Sequence, residues 1–149
     1  MPDKSTLERA KQDRREGKAP STQAGEFVRE EIDHIREGKH GARSAKQAIA
    51  IGLSKARRAG VDLLPPKKGT TSEETRRSAA SAYRAGHDGD DKVSRARSRA
   101  ATKALKREGQ AAVSKKALTR QAHAAAAGRT ASDRSAAARK AARTRARSS

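Results

Sequence analysis

The chain of 149 residues has no cysteine and no tryptophan, one phenylalanine, one tyrosine and four prolines. Without cysteine there is no disulfide and no thiolate metal site, which fits a reducing compartment. No run of about 18 apolar residues is present to span a bilayer. The opening stretch, MPDKSTLERAKQDRREGK, is charged throughout and has no apolar signal core. A soluble, cytoplasmic protein is expected. Phe27 and Tyr83 are too few for the exposed stacking platforms that RRM-like, OB-like and other single-strand binders use. The motifs G-x-S-x-G, G-x-x-x-x-G-K-[ST] and H-E-x-x-H are all missing. Neither catalysis nor a cofactor is expected.

Large apolar side chains are scarce as well. Alanine supplies 32 of the hydrophobic residues, leaving 17 larger ones. Ten of these fall between Phe27 and Leu64, and only five after Pro66. A packed core is therefore expected only near residues 24–64. That is a size at which a lone core is usually marginal.

What the chain has in excess is positive charge. It carries 36 Lys and Arg against 17 Asp and Glu, a formal net charge of +19. Residues 1–64 hold 14 basic and 10 acidic side chains, whereas residues 65–149 hold 22 and 7. The excess sits in the half that is poor in core residues. Such a balance points to a polyanion partner, nucleic acid above all.

The pattern along the chain predicts an all-α fold: a small helical hairpin core, flanking short helices, and a long basic C-terminal region that is partly disordered or conditionally helical. Glycine punctuates it. Arg15-Glu16-Gly17, Arg36-Glu37-Gly38, Arg58-Ala59-Gly60, Arg84-Ala85-Gly86 and Arg107-Glu108-Gly109 each read as a helix stop, with glycine in the left-handed position and arginine facing the negative end of the dipole. Residues 1–19 form a weakly held N-terminal helix with Ser5 and Glu8 as a capping box. Residues 20–64 form the hairpin. In its first helix Ala24, Phe27, Val28, Ile32 and Ile35 fall within an arc of roughly 140°, with Glu26, Glu30, Asp33 and Glu37 as an acidic stripe behind. Its second helix is KQAIAIGLSKARRAG, started by Ser44 and Gln47 and stopped by Gly60. Ala45, Ile49, Gly52, Leu53 and Ala56 share its inner face. Gly52 lets the neighbouring helix approach, Lys55, Arg57 and Arg58 lie on the wet side and C-terminal end, and Ile51 is left over for a dimer contact or for packing under Leu63 and Leu64. Residues 65–72 are a Pro/Lys/Gly linker. Residues 73–92 give a short helix capped by Ser72, then a turn at Asp88, Asp90 and Asp91. Residues 93–149 are the Ala/Arg/Lys-rich tail, divided by Gly109 and Gly128 and too poor in large apolar groups to fold alone.

The candidate contacts to phosphate follow from this layout. Lys39, Arg43 and Lys46 sit at the loop 38–44 and the start of the second hairpin helix, where free N–H groups favour an anion. Arg57 and Arg58 lie at that helix's end. The tail supplies Arg95, Arg97, Arg99, Lys103, Lys106, Arg107, Lys115, Lys116, Arg120, Arg139, Lys140, Arg143, Arg145 and Arg147. The connector of about seven residues is too long for a helix-turn-helix reader, so an antiparallel hairpin without base reading is favoured. The four histidines, His34, His40, His87 and His123, make no three- or four-ligand pattern by spacing, so no metal is expected. The acidic stripe is read as a solvent face or as a contact for the basic tail.

Gly38-Lys39-His40-Gly41-Ala42-Arg43-Ser44, followed by Lys46 to Ser54 and Ala56 to Gly60, resembles a family of small basic bacterial proteins of unknown function that are often labelled DNA-binding. The likeness covers about residues 20–70. It implies a bacterial cytoplasmic setting and supplies no catalytic or ligand residues. The tail is similar in composition to linker-histone tails, though richer in arginine and free of proline. The expected function is non-enzymatic, sequence-nonspecific DNA binding by a nucleoid-associated, histone-like protein, with duplex DNA favoured over RNA. No small-molecule substrate and no membrane are expected, and the hairpin offers a route to a homo-oligomer. An RNA- or ribosome-associated protein, and an assembly module that uses the hairpin, remain open beside it.

Overall fold

The computed structural model describes residues 2–88 and 95–148, and of Arg95 the backbone alone. These residues form seven α-helices: α1 (Lys4–Arg15), α2 (Pro20–Arg36), α3 (Ala45–Arg58), α4 (Glu73–His87), α5 (Arg95–Lys106), α6 (Lys115–Ala127) and α7 (Ala131–Ser148). A 3-10 turn, Ala111–Val113, lies between α5 and α6. The described residues contain no strand, so the alternation of alanine and isoleucine at 48–51 lies within a helix. None of these helices is long and apolar enough to cross a membrane.

The helix ends explain much of the layout. Gly17, Gly38 and Gly60 have φ of +73°, +79° and +95°. After each, the next N–H bonds back into the last turn: Lys18 to Asp13, Lys39 to His34 and Val61 to Ala56. That is the glycine stop expected at those sites. Gly109 does not take the left-handed conformation, and Gly86 departs further. It lies inside α4, where a Cβ would collide with the carbonyl of Arg57, so its lack of a side chain serves close packing instead. At the start of α3 the Ser44 hydroxyl accepts from Gln47 N, and the Gln47 side chain accepts from Arg43 N. The box expected at Ser5 is not used: α1 begins at Lys4, behind Asp3.

The hairpin of α2 and α3 is the centre, with α1 against α2 and α4 against α3. Among the described residues, eight of the twelve buried apolar ones are alanines, which lets the helices approach closely. One cluster joins Ala10, Ala24, Phe27, Ala56 and Val61, with Leu7, Leu53 and Leu63 packed against it. A second joins Ile35, Ala42, Ala48 and Val113, with Ile32 beside it. The core therefore extends beyond residues 24–64, through Ala10, Ala79, Ala82 and Val113. Counting only large side chains hid this, because alanine buries well wherever two helices come close. Ile51 is half-buried, and Leu64 is 68% exposed.

The expected disorder of the tail is corrected. Helix continues through α5, α6 and α7 to Ser148, with breaks near Gly109 and Gly128. Alanine's high helix propensity accounts for this without a core. Val113 gives the region its anchor at 1% exposure, and Arg36 donates to the Val113 carbonyl at 3.3 Å. The expected turn at Asp90 and Asp91, and Val93, lie outside the described residues; Asp88 ends α4.

Candidate functional site

Two features stand out: a buried polar cluster inside the hairpin and a basic surface over the C-terminal helices. The cluster begins at Glu31. Its place on α2 follows from helical spacing. Phe27, Glu31 and Ile35 recur every four residues on one face, and all three are buried. Glu31 thus sits between the two apolar clusters, fully buried, and pairs with Lys55 of α3. His40 Nε2 lies 3.0 Å from Glu31 Oε2, and His34 Nδ1 lies 3.8 Å from Glu31 Oε1. Glu30, 4% exposed, accepts the backbone N–H of Asp3 at 2.7 Å. His34 Nε2 faces the carboxylates of Asp3 and Glu30 at 3.6 and 3.8 Å.

The acidic stripe is therefore only partly a solvent face. Glu30 lies beneath the start of α1, and Glu26 pairs with Arg9 of α1 at 2.5 Å. Asp33 is exposed and Glu37 pairs with Lys39 at 3.2 Å. The sequence reading missed Glu31. Its signal was present: a carboxylate in the middle of an apolar stripe, four residues from Phe27 and four from Ile35.

The loop 38–44 is engaged by the C-terminal region. Gly41 N donates to the Leu105 carbonyl at 2.9 Å and Ala42 N to the Gly109 carbonyl at 3.1 Å. A Cβ on Gly41 would collide with the Glu108 carbonyl. Two donors of the loop are thus spent within the chain. Lys39, Arg43 and Lys46 remain exposed around it.

Arg57 departs from its expected place on the wet side. It is 7% exposed, and its guanidinium donates to the carbonyls of Leu63 and Leu64 at 3.0 and 3.3 Å. Burial lowers its pKa from the usual arginine value. It fastens the segment after Gly60 to the end of α3. Arg58 is half-buried. The side chain of Arg95 lies outside the described residues.

The remaining candidates form the basic surface. Arg97, Arg99, Lys103, Lys106, Arg107, Lys115, Lys116 and Arg120 are exposed along α5, the turn and α6, as are Arg139, Lys140, Arg143, Arg145 and Arg147 on α7. Arg99, Lys103 and Lys106 line one face of α5 with Ser98 and Thr102. An open groove between α7 and the start of α2 is lined by Arg129, Lys140 and Arg145, with Ser21, Thr22 and one acid, Asp133. Arg134 joins α6 to α7 by donating to the Ala126 carbonyl at 3.0 Å.

Residues 22–68 match the model of a family described as a family of unknown function (DUF6496). The matched segment contains nearly all of α2, the loop 38–44 and α3, and ends before α4. No curated protein and no solved structure matches the chain.

Proposed function

We propose that the protein is a non-enzymatic, nucleoid-associated DNA-binding protein that holds duplex DNA through phosphate contacts, without reading its sequence. The observation that carries this reading is the exposure of the cations on α5, α6 and α7. From Arg95 to Ser148 the chain has 16 basic and two acidic residues, Glu108 and Asp133, so its charge cannot be neutralised locally. Arginine and lysine contacts to phosphate position a protein on DNA but carry no base information. The scarcity of aromatic rings favours a duplex over a single strand. Because Arg57 is buried, the interface on this reading comprises the C-terminal helices together with Lys39, Arg43, Lys46 and Arg58.

The test is a mobility-shift titration over a range of salt. With about eight phosphates contacted, the log–log slope is near −7, and unrelated duplex sequences bind alike. Binding that survives high salt, or that strongly prefers one duplex, overturns the reading. Structured RNA as competitor separates a DNA role from an RNA role, since phosphate is common to both.

A further inference from the structure

We propose that Glu31, His34 and His40 form a binding site for a divalent metal ion of the zinc class, and that the ion ties the loop 38–44 to α2. One donor atom from each of the three lies within 4.8 Å of the other two. The edge of a tetrahedral zinc site with nitrogen and oxygen ligands is about 3.4 Å, so a small opening of the 3.0 Å His40–Glu31 edge and a modest contraction at His34 bring them to coordination distance. Spacing along the chain conceals the set. Glu31 and His34 share α2, but His40 comes from beyond the glycine stop at Gly38.

An independent observation points to a cation. Glu31 is fully buried, and its Oε2 accepts no hydrogen bond among the described residues. Such an oxygen is costly without a partner. Lys55 holds the other oxygen, Oε1, and so orients the carboxylate and leaves Oε2 facing His40.

Both imidazoles are arranged as metal ligands are. His40 Nδ1 lies 2.9 Å from the Gly41 carbonyl, which can only accept, so Nδ1 carries the proton. A metal ion between His40 Nε2 and Glu31 Oε2 takes the place of a proton shared across their 3.0 Å separation. His34 presents Nδ1 toward Glu31, while its Nε2 faces the carboxylates of Asp3 and Glu30. His40 thus has a hydrogen-bonded outer partner on one nitrogen and the Glu31 carboxylate on the other, the usual arrangement around zinc, while His34 Nε2 lies near two carboxylates without a hydrogen bond. The two rings meet edge to face, at 82°, rather than stacked. Two nitrogens and one oxygen suit zinc, cobalt or nickel better than magnesium or calcium.

The untagged full chain is titrated with Co2+ and then with Zn2+. One equivalent of Co2+ is expected to raise a visible absorption band that Zn2+ removes. Zn2+, but not Mg2+, is expected to raise the thermal midpoint. His40→Gln is expected to weaken binding at least about tenfold, while His87→Gln and His123→Gln, at exposed histidines, leave it unchanged. Imidazole 15N spectra of the unaltered protein identify the ligands even if a variant misfolds: Zn2+ is expected to shift His34 Nδ1 and His40 Nε2. Absence of the band, or shifts confined to His87 and His123, overturns the proposal.

Discussion

Gly52 of α3 meets Val28 of α2 backbone to backbone: a Cβ at Gly52 would stand 2.6 Å from Val28 Cα and 2.9 Å from its nitrogen. The two central helices are therefore set at a separation that only glycine permits at this point. Gly52→Ala gains about 1 kcal/mol of helix propensity. It also forces apart two backbones that cannot rotate away, at about 1–3 kcal/mol. The expected result is a urea midpoint below that of the unaltered protein, by about 1 kcal/mol in stability. A midpoint at or above the original value means that α2 and α3 have room to spare.

Arg57 serves the fold and not the surface. Arg57→Met keeps the aliphatic stem and removes the donors to the Leu63 and Leu64 carbonyls. The expected loss is about 1–2 kcal/mol of stability, since Leu64 is partly hydrated. On the proposed DNA-binding reading, the salt slope is expected to stay as it was. A slope reduced by a full unit with stability intact would place Arg57 in contact with phosphate.

Tyr83 donates to Asp62 Oδ1 at 2.5 Å and stacks on His87 at 3.9 Å. The hydrogen bond to Asp62, then desolvation and the nearby negative charge, raise the phenol's pKa above its ordinary 10.0. The neutral phenol is thus the form that the folded state favours. Its contribution is whole below the ordinary tyrosine range and is lost as pH rises through the raised value. Because the chain has one tyrosine and no tryptophan, the ultraviolet titration reads this group directly. Its midpoint is expected above 10, returning toward 10 in Asp62→Ala, which removes the acceptor. An unchanged midpoint in that variant removes the hydrogen bond as the cause.

Truncation after Gly128 removes α7, which has no buried residue, and seven cations. The thermal midpoint is expected to stay within a few degrees. The salt slope is expected to become shallower by about 0.9 for each phosphate that α7 had neutralised. Removing everything from residue 93 would be a poorer test. It also strips Val113 from the core and takes away the carbonyls that hold Gly41 and Ala42. An unchanged slope after loss of α7 confines the interface to the loop 38–44, the end of α3, α5 and α6.

Local rules carried the sequence reading far. The stops at Gly17, Gly38 and Gly60, the box at Ser44 and Gln47, and the close approach at Gly52 each depend on neighbours within a few residues or on one facing helix. What escaped it depended on distant partners. Gly86 reads as a stop by its neighbours, yet the Arg57 carbonyl, far along the chain, decides its use. Arg57 looks wet on a helical wheel because the carbonyls that bury it come from residues beyond the helix. Val113 is one valine in an alanine-rich stretch, and only its packing with Ile35 and Ala48 gives it meaning. Glu31, His34 and His40 meet only once the chain has turned at Gly38.

The helicity of the C-terminal region changes the thermodynamics expected of its encounter with a polyanion. A disordered basic segment orders at the moment of contact and gives up chain entropy there. Here the rise of α5, α6 and α7 fixes the spacing of the cations beforehand, about 1.5 Å per residue within each helix. Counter-ion release is then offset by little ordering of the main chain. On the proposed reading the cations act as a few rigid rods rather than as a brush, so which phosphates they reach is set by the angles at the breaks near Gly109 and Gly128.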